Sequence, residues 1–162
     1  MARIMRAAVR AVARSYPPSA AAAWASLPAL YHRWAMTAGG ERRVVAERAG
    51  RLVAFAGWRG SEVTALFVHP GAAGRGLGAR LLARAEAGAS RGPTATLSVL
   101  AARAAVGFYL ACGWTERGPA RAPLPGGLRL PAYRMSKRPR RGGAGGRSGH
   151  PTSSSQARRS RS

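Results

Sequence analysis

The sequence contains no aspartate and no asparagine, one lysine (Lys137), one isoleucine (Ile4) and one cysteine (Cys112). Each scarcity excludes something. A lone cysteine cannot form an internal disulfide, and it leaves no Cys/His cluster with metal-site spacing, so no metal is expected. Without aspartate there is no Ser-His-Asp arrangement for nucleophilic catalysis. The apolar runs are too short to cross a bilayer, which speaks against a membrane protein. The N-terminus is basic, yet no continuous apolar stretch follows before Arg10 and Arg14. No signal peptide is therefore expected, and a reducing cytoplasm is the simplest setting.

Arginine, alanine and glycine are abundant instead. The 162 residues suit one compact domain and a tail, and 46% hydrophobic residues suffice for a core. The formal net charge is +22. Residues 136–162 hold eight of the 27 Lys and Arg and no acid, which leaves the body at +14. Two readings of this charge stand: a solvated basic surface, and non-specific nucleic-acid binding through the tail. The tail has no aromatic residue to stack on bases. Its Gly/Ser/Arg/Pro composition predicts disorder, so the expected division is a domain at 1–136 and a disordered basic tail at 137–162.

Patterning predicts three blocks. The first is helical: Arg6–Arg14, stopped by Pro17-Pro18; Ala20–Ser26, capped by Ser19; and Ala29–Met36, ended by Gly39-Gly40. The second is a three-strand antiparallel meander over 43–47, 52–58 and 62–68, turning at Ala49-Gly50 and Arg59-Gly60. The third starts with a glycine-rich loop running into a helix with apolar Leu77, Leu81, Leu82 and Ala85, closed at Gly92-Pro93. A strand at 94–100, a helix at 101–112 capped by Gly113, and strands near 114–117 and 128–135 complete it.

The loop Ala73-Gly74-Arg75-Gly76-Leu77-Gly78-Ala79 carries the chemistry. Glycines let the backbone approach an anion, and the first N–H groups of a helix lack intrahelical partners, so the segment suits a pyrophosphate. A dinucleotide fold would place such a loop after the first strand of a β-α-β series; here it follows three antiparallel strands. A Walker A loop needs Gly-Lys-Ser/Thr, which is absent.

Leu66-Phe67-Val68-His69-Pro70 followed by Gly74 to Leu82 resembles motif A of the GNAT (GCN5-related) N-acetyltransferases. Leu97-Ser98-Val99, then Gly107-Phe108-Tyr109, then Cys112-Gly113-Trp114 resembles motif B. The resemblance covers about residues 6–137. It implies an α+β GNAT fold: a central mixed, mostly antiparallel sheet flanked by helices. The family's first strand has no counterpart before the first helix here. Ala73 and Ala104 stand where relatives usually carry Arg or Gln, and Asn.

The resemblance further implies acetyl-CoA as donor and an amine of a small molecule or peptide as acceptor. It implies that backbone groups of Leu66, Phe67 and Val68 meet pantetheine and thioester, and that Gly74, Arg75, Gly76, Leu77, Gly78 and Ala79 hold the pyrophosphate. Tyr109 occupies the place of the acid that protonates the departing thiolate; its other reading is a core aromatic beside Phe108. Glu62 lies at the spacing of a general-base glutamate; its other reading is a hairpin-edge charge paired with an arginine. His32, among Trp24, Tyr31 and Trp34, is an alternative base or an ordinary residue. His69 reads as a loop residue and Cys112 as helix packing. A homodimer is left open.

Overall fold

The computed structural model describes residues 1–89, 96–124 and 127–138. Gly92-Pro93 and almost all of the basic tail lie outside them. Three helices come first. Helix α1 (Ala2–Val12) buries Ile4, Met5 and Val9, and starts earlier than the Arg6 expected from sequence. A short 3-10 turn and Pro17 separate it from α2 (Pro18–Ala25). Pro18 sits in the first turn, where its missing N–H has no helical partner to lose. Ser19 therefore lies inside the helix and makes no capping bond, contrary to expectation. Helix α3 (Ala29–Met36) follows, as the sequence indicates.

The sheet has six strands in the order β1-β2-β3-β4-β6-β5. Strands β1 (Arg42–Arg48) and β2 (Arg51–Arg59) form a hairpin. Its turn residues Ala49 and Gly50 have φ of 48° and 69°, the left-handed pair that suits strand twist. Strand β3 (Glu62–Val68) pairs antiparallel with β2. The crossover through α4 (Leu77–Ala89) makes β4 (Leu97–Ala102) parallel to β3.

Here two expectations fail. The alanine-rich start of the expected helix at 101 is strand: Ala101 pairs with Tyr133 and Ala102 with Ala132. Sheet pairing overrides the helical propensity of alanine. Residues 103–105 form a 3-10 turn, and α5 is only Val106–Ala111. Likewise β5 runs Thr115–Pro123, straight through the segment expected as a loop. It lies at the sheet's edge, where prolines lacking an N–H are tolerated.

Alternation along β2 sorts the core. Ala54 and Ala56 face α4, packing with Leu81, Leu82 and Ala85, while Phe55 faces α1 with Ile4, Met5 and Val9. Strand β6 (Arg129–Lys137) ends in an anchor. Lys137 Nζ lies 2.8 Å from Glu86 Oε2 on α4, donates to the Cys112 carbonyl at 2.8 Å, and shares Glu86 with the Trp114 indole N–H. Ser136 and Lys137 thus belong to the sheet, so the folded unit extends past the boundary expected at residue 136.

Candidate active site

The functional geometry begins where two strands part. Strands β3 and β4 pair only through Glu62↔Ser98 and Val63↔Val99. Immediately afterwards β3 takes a bulge: Trp58 of β2 faces Val63 and Gly57 faces Ala65, leaving Thr64 as the extra residue. Beyond it β3 and β4 diverge. His69 N–H donates to Val53 O at 2.8 Å, towards β2. Main-chain groups alternate in direction along a strand, so Leu66 and Val68 turn theirs towards the gap. Phe67 turns its own towards β2, and its ring packs on Phe55 and Trp24 on the α1 face.

A cavity of about 420 Å³ opens at this gap. Glu62, Leu66, Phe67, Tyr109 and His32 all line it; Val68 and the glycine loop do not. Tyr109 is 5% exposed on α5, its ring edge-on to Phe108 and Trp114 at 5.3 and 5.5 Å. It belongs to the same core as Phe108 and also lines the cavity. Burial drives its phenol well above the ordinary value, with Cys112 and Glu86 adding to the effect. The hydroxyl holds its proton, the state a general acid needs. Glu62 is 41% exposed at the mouth of the hairpin, its Oε2 3.9 Å from Arg59. It is an edge charge beside an arginine that also lines the cavity.

The loop ahead of α4 is open. Gly74 and Gly76 take φ of +77° and +71°, and no atom lies within 4 Å of where either would carry a Cβ. Ala73, Arg75 and Ala79 are exposed, and Leu77 starts the helix with its side chain against the core. Gly78 does different work: a Cβ there would lie 3.4 Å from Phe108 and 3.6 Å from Val68, so this glycine brings α4 close to α5 and β3. The residues fit a CoA-type ligand: unobstructed backbone at a helix start for the diphosphate, and a parted strand for an extended amide-bearing arm. His69, expected to be idle, accepts a hydrogen bond at Nδ1 from Gly71 N–H at 3.2 Å and so shapes the turn into the loop. Cys112 packs partly against the core, and burial raises its thiol above the ordinary range.

His32 is buried on α3, and its role is decided by hydrogen bonding. Arg43 Nη1 lies 3.0 Å from its Nδ1. Arginine only donates, so Nδ1 is the acceptor and the ring proton resides on Nε2. Burial, then the Arg43 charge, push its pKa down to about 4, with Glu41 acting the other way. A neutral ring whose one lone pair is occupied cannot serve as the amine's base, which removes that reading. In the unfolded chain the imidazole titrates near pH 6.5, whereas the native one stays neutral until about pH 4. Stability is therefore full above pH 6.5 and falls as pH drops through that window. Thermal unfolding midpoints measured from pH 7 to pH 4 will decline less steeply in His32→Gln than in the native chain.

Sequence reasoning passed over Glu41, Arg43 and Thr64, which also line the cavity. No local pattern marks them; only the sheet brings them together.

This arrangement, a bulged strand parting from its parallel neighbour above a glycine-rich helix start, defines an acyl-CoA-dependent acyltransferase fold. The acetyltransferase (GNAT) domain family model matches residues 12–134, and the chain belongs to that family. Its general chemistry is acetyl transfer, with acetyl-CoA as the donor. Among solved structures, a GCN5-related N-acetyltransferase from Rhodopseudomonas palustris is 27% identical, with a TM-score of 0.74 over 85% of this chain and 86% of that one. A ribosomal-protein-alanine N-acetyltransferase from Brucella melitensis is 25% identical, with a TM-score of 0.51 over 66% and 75% of the two chains. The PaiA N-acetyltransferase from Thermoplasma acidophilum, solved with coenzyme A, shares the fold at 17% identity, with a TM-score of 0.57 over 85% and 89%. No curated protein sequence matches the chain. Among the described residues no helix is long and apolar enough to cross a membrane, and no group of three or more His, Cys, Asp or Glu could hold a metal ion.

Proposed function

We propose that the protein transfers the acetyl group of acetyl-CoA directly to a primary amine of a small molecule or peptide, both substrates being bound together. The observation that carries this reading is the β3–β4 gap. The ladder stops at Val63, which leaves the main-chain groups of Leu66 and Val68 unpaired by β4, and Leu66 lines a cavity walled by a protonated, buried Tyr109.

Bound acetyl-CoA supplies an activated acetyl group and a thiolate leaving group. The chain's own residues do the rest. Backbone amides from Gly74 to Ala79 hold the diphosphate, and the main chain of Leu66 and Val68 positions the arm. A backbone N–H near Val68 meets the negative charge that develops at the carbonyl oxygen. Tyr109 delivers a proton towards the departing sulfur. Glu62, on the cavity wall and open to water, takes a proton from the amine directly or through a water.

The test is acetyl-CoA binding followed by thiol release. Acetyl-CoA at about a hundredfold excess over its Kd will stabilise the protein by roughly 2.7 kcal/mol, raising its melting temperature. A panel of primary amines will then release free CoA thiol, and N-methylated tertiary analogues will not. Binding with no thiol release from any amine would overturn the acetyl-transfer reading.

A further inference from the structure

The cavity wall on the α1–α3 side carries a polar group that the transfer chemistry above does not use. Glu41 precedes β1, Arg43 lies within it, His32 comes from α3, and Thr64 is the bulge residue of β3. All four line the cavity. The Arg43 side chain is only 4% exposed, and its Nε and Nη1 both have partners. Its Nε meets Glu41 Oε1 at 2.5 Å, and its Nη1 lies 3.0 Å from His32 Nδ1. The guanidinium also stands over the Phe55 ring, 5.3 Å from the centroid. These contacts hold the Glu41 carboxylate in one place.

That place is above Gly57. A Cβ on Gly57 would lie 2.4 Å from Glu41 Oε1 and 3.1 Å from Thr64 Oγ1. The bare glycine thus lets two side-chain oxygens from different elements converge on one point of the wall. Thr64 Oγ1 is buried there without a hydrogen-bond partner among the described residues. A buried, unpaired hydroxyl is unfavourable unless something fills it. The charge pattern indicates what. An anion would face the Glu41 carboxylate, which Arg43 Nε holds in place. An ammonium, with three N–H donors and a positive charge, matches one carboxylate and one hydroxyl oxygen. Trp24, Leu27, Phe55 and Phe67 give the same cavity a broad apolar wall for the rest of the ligand. Thr64 is also the residue at which β3 leaves β4, so a nitrogen held there stands at the entrance to the gap.

We propose that Glu41 and Thr64, converging over Gly57, seat the ammonium of an acceptor whose body is apolar, such as an arylalkylamine. Arg43 and His32 are positioning residues that hold Glu41. The seat deepens the amine-acetylation reading and rests on it for its catalytic meaning, but it is a binding site in its own right.

The experiment uses the full chain with CoA present and two probes of similar shape, 2-phenylethylamine and the uncharged 2-phenylethanol, titrated calorimetrically at pH 7. The amine will bind at least about tenfold more tightly than the alcohol, as charge-assisted bonds to a shielded carboxylate require. Glu41→Gln, Thr64→Val and Gly57→Ala will each weaken the amine by about tenfold or more while leaving the alcohol unchanged. In turnover, KM for the amine will rise, with kcat and KM for acetyl-CoA nearly unaltered; a purely structural role would shift all three. Glu41→Gln also strips Arg43 of its ion pair, so Thr64→Val, which removes no charge, decides the matter if that variant does not fold. Equal affinity for amine and alcohol in the native chain would overturn the seat, and so would an amine affinity indifferent to Thr64→Val. Glu41-dependent amine binding without thiol release would keep the seat and defeat the acetyl-transfer reading. Thiol release with an amine KM indifferent to Glu41 and Thr64 would do the reverse.

Discussion

Tyr109→Phe will lower kcat by about 10²-fold or more, leave the acetyl-CoA dissociation constant unchanged and barely move the melting temperature. The expectation follows from what the substitution removes. The ring stays, and with it the edge-on packing against Phe108 and Trp114. Only the hydroxyl goes. Loss of a positioned general acid costs about 10²–10⁴ in rate, or roughly 2.7 kcal/mol at the lower end. Loss of one hydroxyl in a packed site costs about 1 kcal/mol of stability or less. Single-turnover thiol release, titration of acetyl-CoA and thermal unfolding separate the three quantities. Unchanged turnover would show that water or another group protonates the sulfur. The raised phenol pKa adds a sign. The native Tyr109 keeps its proton where an unfolded tyrosine loses it, so stability falls as pH rises beyond about 10. The hydroxyl keeps its proton across the whole neutral range, so a fall in rate there would belong to another group.

The elements that sequence conveyed well are those whose information is local. Ala49-Gly50 announces a tight hairpin, and Glu62–Val68 reads as a strand because it is rich in β-branched and apolar residues and ends at Pro70. The open loop at Gly74 and Gly76 is equally local, since its glycines are needed for backbone conformation. The misreadings concern properties that arise only in the sheet. Alanine at 101 and 102 favours helix by itself, and pairing with β6 makes it strand. Pro119 and Pro123 look like loop residues until β5 is placed at an edge.

The acceptor side of the site was the least legible for the same reason. Glu41, Arg43, His32 and Thr64 share a wall only because α3 folds back on β1, β1 lies beside β2, and β3 bulges opposite Gly57. A bulge leaves little trace in sequence. The donor side differs because one continuous stretch, from Leu66 to Ala79, supplies both strand and loop. A single segment can carry a motif; a convergence of three elements cannot.

The glycines of that stretch are not equivalent, and this gives the other large expected effect. Gly76→Asp will abolish stabilisation by acetyl-CoA and raise its dissociation constant by about 100-fold or more, while Gly78→Ala will leave binding within a few-fold of native. Gly76 has φ of +71°, so any side chain there strains the backbone by about 1–2 kcal/mol. Nothing lies within 4 Å of the new Cβ, so the side chain starts into open space. It projects where the diphosphate is expected, and a carboxylate there sets like charge against the ligand at the start of a helix that favours anions. Gly78 lies inside α4, and an added methyl would touch Phe108 and Val68 at 3.4 and 3.6 Å, ordinary contact distances. Melting curves with and without acetyl-CoA distinguish the two. Without ligand, Gly76→Asp should melt within a few degrees of native, because Gly76 is exposed. If Gly76→Asp still gains its full rise on adding acetyl-CoA, the diphosphate does not rest on this loop, and the donor's path through the β3–β4 gap must be redrawn.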